Sequence, residues 1–126
     1  MSRTRVSTEN APAAVGPYSQ GIVANGVVYT AGQVALVPGT GKLLEGDIQA
    51  QAAQVFKNLT AVLDAAGSSL DRVVKTTVYL KDMNDFAAMN AIYDTFFQGD
   101  PPARTTIQVA RLPLDALIEI EMIALV

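Results

Sequence analysis

The sequence predicts an α+β fold in which two helices pack on one face of a mixed sheet, with elements in the order β-β-α-β-α-β-β. Three observations predict it. An Asn25-Gly26 pair separates two apolar runs, which is the strongest short-range signal for a hairpin. Two later stretches carry apolar residues at helical spacing. Each lies between alternating, β-branched segments, so each is long enough to serve as a crossover between strands.

The opening hairpin draws on residues 21–37, where the runs IVA and VVYTAGQVALV flank Asn25-Gly26. Strand alternation puts Tyr29, Ala31 and Gln33 on one face, and Gly32 marks either a close ligand approach or a bulge. Pro38-Gly39-Thr40-Gly41 supplies turn chemistry. Helical spacing starts after Asp47, a plausible N-cap, and places Ile48, Ala52, Val55, Leu59, Val62 and Leu63 on one stripe until Gly67 stops it. That helix is about 28 Å long. Residues 72–81 (RVVKTTVYLK) read as the third strand. A second helix starts at Asn84, carries Phe86, Met89, Ile92, Tyr93, Phe96 and Phe97, and ends at Gly99-Asp100-Pro101-Pro102. Two last strands, residues 104–110 and 117–126, are joined by a turn at Leu112-Pro113-Leu114-Asp115. The final strand is apolar at both parities, with Ile118, Ile120, Met122 and Ala124 on one face and Leu117, Ile123 and Leu125 on the other. Burial of both faces is therefore expected, and self-association through the sheet provides it.

At 126 residues, the chain reads as one domain spanning 1–126. Its 9 basic and 12 acidic residues give a net charge of −3 with no basic cluster, which argues against a nucleic-acid partner. There is no Cys and no His. That removes disulfides, thiolate nucleophiles, imidazole bases and ordinary zinc sites, so no metal and no cofactor is expected. Chemistry must come from carboxylates, Arg, Lys, Tyr, hydroxyls, backbone groups and water. Neither an apolar leader nor a run of the ~18 apolar residues needed to span a bilayer is present, so the expectation is a cytoplasmic protein with no membrane partner.

The informative residues are polar ones in apolar positions. Glu119 sits between Ile118 and Ile120, with Glu121 on the same face. Either the carboxylate is in a cleft with a cation or a raised pKa, or both glutamates line a solvated sheet edge. An inverting-glycosidase pair is disfavoured, because neighbours on one strand cannot flank a bond from opposite sides. Arg104 follows Pro101-Pro102-Ala103, where a stiff chain can hold a guanidinium in one orientation for a carboxylate; the bland alternative is a solvated Arg at a strand start. Asn90 lies within the apolar stripe of the second helix, as an internal hydrogen-bonding anchor or a ligand contact. Tyr18 follows the turn pair Gly16-Pro17 and either swings over a cleft or packs locally.

Taken together, TENAPAAVGPYSQG, YTAGQV, VVKTTVYLKDMNDFAAMNAIY, PPART, VARLP and IEIEMIA resemble the RidA/YjgF family over nearly the whole chain. The resemblance implies a chorismate-mutase-like homotrimer with clefts between subunits. It also implies a hydrolytic deaminase that converts 2-enamino and 2-imino acids, such as 2-aminoacrylate, to 2-oxo acids and ammonia. On that resemblance the catalytic residues are Arg104, clamping the substrate carboxylate, and Glu119, positioning water, with Glu121 structural. Tyr18, Gly32, Phe86, Asn90 and Thr106 line the substrate site. Ala31 stands where many members have Ser, and Thr106 where many have Cys. The Thr106 backbone can still offer its carbonyl. The competing reading is a non-catalytic metabolite-binding, regulatory or chaperone-like trimer using the same cleft, which needs Arg104 but depends less on Glu119.

Overall fold

Alternating strand-period and helix-period segments fold, in the computed structural model describing residues 2–126, into a six-stranded mixed sheet with two helices on one face. In chain order the elements are β1 (Thr4–Val6), β2 (Gly21–Ala24), β3 (Val27–Thr30), β4 (Leu36–Val37), β5 (Lys42–Leu43), α1 (Ile48–Ala65), β6 (Val73–Leu80), α2 (Phe86–Asp94), β7 (Ala103–Gln108) and β8 (Ile118–Leu125). The sheet order is β1-β2-β3-β8-β6-β7, and β4 and β5 form a separate small hairpin. Only β6 and β7 pair in parallel. Strands β3 and β6 both run antiparallel to β8, which lies between them. Both helices are therefore crossovers between parallel strands, as their length requires.

Local chemistry explains the main boundaries. Asn25 and Gly26 both take positive φ, 52° and 75°, the pattern a two-residue hairpin turn needs. Asp47 Oδ1 accepts the Ala50 N–H at 2.9 Å and starts α1. At the other end Gly67 adopts φ 82° and Ser68 N–H returns to Leu63 O at 2.8 Å, a left-handed stop that satisfies a terminal carbonyl. The whole stripe from Ile48 to Leu63 is buried against β3 and β8. Phe56 stacks on Phe96 at 4.3 Å and meets Tyr93 edge-on at 5.5 Å, joining α2 to the core. Each such side chain stabilises the fold by roughly 1.5–3 kcal/mol.

Three expectations need correction. A strand, β1, precedes the hairpin and pairs with β2; three polar-flanked residues carry no periodic signal by themselves. The second helix begins at Phe86, after a tight 3-10 turn over Met83–Asp85, and stops at Asp94. There the Thr95 hydroxyl donates to Ile92 O at 2.6 Å while Phe96 and Phe97 turn in to pack on Phe56. The run VVYTAGQVALV is broken rather than continuous. From Tyr29↔Ile123 to Gln33↔Ile120 is four steps along the β3 side and three along β8, so one extra residue bulges out. Tyr29 and Gln33 consequently lie on opposite sides, at 48% and 6% exposure, instead of sharing a face. The Ile118/Ile120/Met122/Ala124 face of β8 is buried, while on the other face, the one expected to meet another copy, Leu125 is exposed and Ile123 half-buried, because no layer of the same chain covers that side.

Candidate active site

Two recesses hold the residues singled out from the sequence. The first is a groove of about 690 Å³ that includes Tyr18, Gly32, Glu119, Leu36 and Leu114. Its frame is the bulge. Thr30 Oγ1 accepts the Met122 N–H at 3.0 Å where the ladder breaks, and the bulged Gly32 is carried over Glu119. A Cβ at Gly32 would overlap the Glu119 carboxylate, with Cδ only 2.9 Å away, so glycine is there for close approach rather than for a special φ. Tyr18 is held by the loop before β2. The buried Gln20 accepts Thr8 N–H at 2.7 Å and donates to Thr8 O and Pro12 O at 3.0 and 2.8 Å. Val15 N–H donates to the Tyr18 hydroxyl at 3.3 Å, leaving the ring half in solvent. A recess of about 740 Å³ behind this loop shares Tyr18 but contains nothing from β7 or β8.

The two glutamates of β8 differ. Tyr79 donates to Glu121 at 2.6 Å, and its own pKa is pushed up to about 12, first by that bond and then by burial and the two carboxylates. Glu121 is thus engaged. The Glu119 carboxylate receives no hydrogen bond from any described residue. Burial, with a smaller contribution from Glu121, raises its pKa above the usual carboxylate range, the direction expected for a carboxyl kept from water.

The second recess, about 560 Å³, is lined by Asn90, Tyr93, Asp94 and Arg104 with Pro101 and Pro102. Arg104 lies over two rings, 4.7 Å from the Tyr93 centroid and 5.5 Å from that of Phe86, which fixes a cation without neutralising it. No described carboxylate pairs with it; the ion pair found is Lys81 with Asp115. Asn90 Oδ1 and Thr106 Oγ1 are buried without a partner. Val109 N–H bonds to Leu80 O at 3.0 Å, so by alternation the N–H and C=O of Thr106 point away from β6 toward the open sheet edge.

Register separates the halves. Arg104 and Thr106 pair with Thr76 and Val78, both buried under the helices, while Glu119 pairs with Tyr79 on the opposite face. Arg104, Phe86, Asn90 and Thr106 therefore come together, as do Tyr18, Gly32 and Glu119, but one chain does not unite the two groups. Sequence reasoning missed three contributors. Tyr93 was read only as core, yet it supports Arg104 and is anchored through Thr76 at 2.8 Å. Its signal was Thr76, a hydroxyl at the inward parity of β6. Gln20 and the Tyr79–Glu121 pair, linked across 12 and 42 residues, carried none.

Residues 8–126 match the Endoribonuclease L-PSP family. The chain belongs to this family, the RidA/YjgF family. A RutC family protein of Pyrococcus horikoshii is 54% identical over 94% of this chain and 94% of its own length. The 2-iminobutanoate/2-iminopropanoate deaminase of Mus musculus is 51% identical over 97% of this chain and 90% of that protein. A solved structure of a conserved Rid family protein from Yersinia pestis superposes with a TM-score of 0.96 at 47% identity, covering 99% and 100% of the two chains. The mixed sheet with two helices is thus the RidA/YjgF fold. Among the described residues no helix is long and apolar enough to cross a membrane.

Proposed function

We propose that this RidA/YjgF chain, as a single cytoplasmic domain, is a metal-independent hydrolytic deaminase of small 2-imino and 2-enamino acids, acting as a homotrimer. The observation that carries the reading is Arg104, a guanidinium lying over two rings, without a carboxylate partner and in one recess with Asn90, whose Oδ1 is unpaired. A planar fork in that state suits a substrate carboxylate. The deaminase names of relatives at about 50% identity support the reaction type.

In this mechanism Arg104 binds the carboxylate and Asn90 and Thr106 fix its orientation. An enamino acid first takes a proton from solvent at its β-carbon to become the iminium ion, the same species that a protonated 2-imino acid presents. Glu119, ionised, accepts a proton from water as the water oxygen bonds to the imine carbon, giving a carbinolamine. Glu119 returns that proton to nitrogen, the C–N bond breaks, and ammonia leaves as the hydroxyl gives its proton back to Glu119 and the C=O forms. The imine carbon is already electrophilic, so orientation and a directed water supply the acceleration. An RNA substrate, which the family's endoribonuclease description raises, finds no basic footprint on a chain of net charge −3.

Because Arg104 and Glu119 occupy opposite sheet faces, the cleft takes Arg104 from one copy and Glu119 from the next, and the open sheet face is what the trimer covers. The test mixes Arg104→Ala and Glu119→Gln chains through a denaturation and refolding step. Each is inactive alone; random trimers place both intact residues at one interface in four, restoring about a quarter of wild-type activity. A mixture as inactive as its components, with trimers present by light scattering, rules out the shared cleft. Binding of 2-oxo acids that depends on Arg104, with no turnover of any imine, would instead identify a binding protein.

Glu119 also sets a pH dependence. Its carboxyl must be ionised to take the water's proton, so kcat rises with pH through a value above the usual carboxylate range and Glu119→Gln abolishes that limb. For stability the sign is opposite. A native pKa raised above the unfolded one gives a contribution that is fully present below the unfolded pKa and lost as pH rises through the native value. Urea unfolding should therefore show Glu119→Gln overtaking wild type as pH rises through that window.

A further inference from the structure

The groove beside Glu119 is mostly apolar, and Tyr18 and Gln33 are the other residues on it with polar side chains. Pro12, Val15, Leu36, Pro113 and Leu114 form its walls, and no Lys or Arg lines it. An acid's carboxylate finds no cation of the same chain there and is repelled by Glu119. The end of the substrate that enters this groove is therefore its uncharged side chain.

Leu114 is the unusual wall. It adopts φ 57° and ψ 20°, and Asp115 follows at φ 58°. Short polar residues such as Asp and Asn tolerate this left-handed region, whereas leucine gains nothing from it. The turn is closed by backbone bonds, Asp115 N–H to Leu112 O and Ala116 N–H to Pro113 O, each at 3.1 Å, and tied down by the buried Leu112 and Ala116. Lys81 Nζ meets Asp115 Oδ2 at 2.9 Å. All of those ties would serve an Asn or Gly at 114 equally well. Yet the leucine side chain is held 62% exposed on the groove that contains Glu119. Strain kept at the rim of a site, on a side chain that packs on little of its own chain, points to a ligand contact.

We propose that Leu114 is a specificity-determining residue whose side chain forms the apolar wall for the substrate's side chain, favouring 2-imino acids with longer aliphatic chains over 2-iminopropanoate. This rests on the deaminase reading. A volume of about 690 Å³ leaves room for such chains, within the ordinary range for ligand sites.

The experiment generates 2-imino-4-methylpentanoate and 2-iminopropanoate in situ with an amino-acid oxidase and compares kcat/KM for the two. Leu114→Ala should lower the long-to-short ratio roughly tenfold, the scale of lost methylene contacts. Leu114→Met, similar in volume, should hold the ratio within about twofold. Leu114→Asn suits the left-handed backbone, so it should lower the ratio as Ala does while melting no lower than wild type; this separates loss of the wall from loss of the turn. An unchanged ratio in the Ala and Asn variants, with both imines turned over, overturns the role of Leu114 and leaves the deaminase reading intact. A wild-type chain that accelerates neither imine overturns the deaminase reading, and this inference with it.

Discussion

Arg104→Ala is expected to lower kcat/KM toward 2-imino acids by about 2–5 kcal/mol of transition-state stabilisation, roughly 30- to 5000-fold. The loss has two sources. The substrate carboxylate loses its fork of donors, and it is left in a recess with Asn90, Tyr93 and the like-charged Asp94 and no cation to meet it. Arg104→Lys separates them. Lysine keeps the charge but presents a compact ammonium that can neither bond in a bidentate manner nor lie flat over Tyr93 and Phe86. It should recover no more than about tenfold of the alanine defect. Fold stability should change little in both variants, because β7 is an edge strand and Arg104 is only half-buried. Steady-state kinetics with an oxidase-generated imine, beside thermal melting, reads both quantities. An Arg104→Lys enzyme with wild-type kcat/KM would mean that a point charge suffices and that the ring-held geometry is incidental.

The support beneath Arg104 explains why this half of the site was partly legible in the sequence. Arg104 and Asn90 stood out as polar residues where the pattern called for apolar ones or a stiff chain. That signal is local. What holds them is not: Tyr93 reaches Arg104 only because Thr76 and Arg104 are register partners on parallel strands, an arrangement fixed by the α2 crossover. The hairpin and α1 were legible for the same reason as Arg104, since Asn25-Gly26, Asp47 and Gly67 act within a few residues of themselves. The bulge was not, because an extra residue in one strand is defined only against its partner. Gly32 gave a hint that served a bulge and a ligand approach equally, and the structure shows a bulge whose glycine passes over Glu119. The choice between Glu119 and Glu121 was likewise closed from afar, by a tyrosine on β6 that engages one of them.

Gly32→Ala provides the sharpest separation of activity from stability. The added methyl meets the carboxyl end of Glu119, Oε2 first, then Cδ at 2.9 Å and Cγ at 3.2 Å, so its three nearest atoms all belong to that side chain. The obstacle is the tip of a flexible side chain, not backbone, and Gly32 does not require a left-handed φ. Glu119 can rotate away, so the fold should lose less than about 1 kcal/mol, below the usual cost of overpacking a core. The chemistry cannot tolerate that rotation. A carboxylate displaced by an ångström no longer directs water at the imine carbon, and misplacements of that size cost on the order of 10² in rate. The expected result is therefore a wild-type melting temperature with kcat down about a hundredfold and KM nearly unchanged, since Arg104 still binds the acid. In a Glu119→Gln background the same methyl should add almost nothing to the loss of kcat, because the group it displaces is already disabled; two residues acting through one carboxylate are non-additive. If Gly32→Ala slows Glu119→Gln by the full hundredfold again, Gly32 acts on the substrate directly and the close approach to Glu119 is not the reason for the glycine.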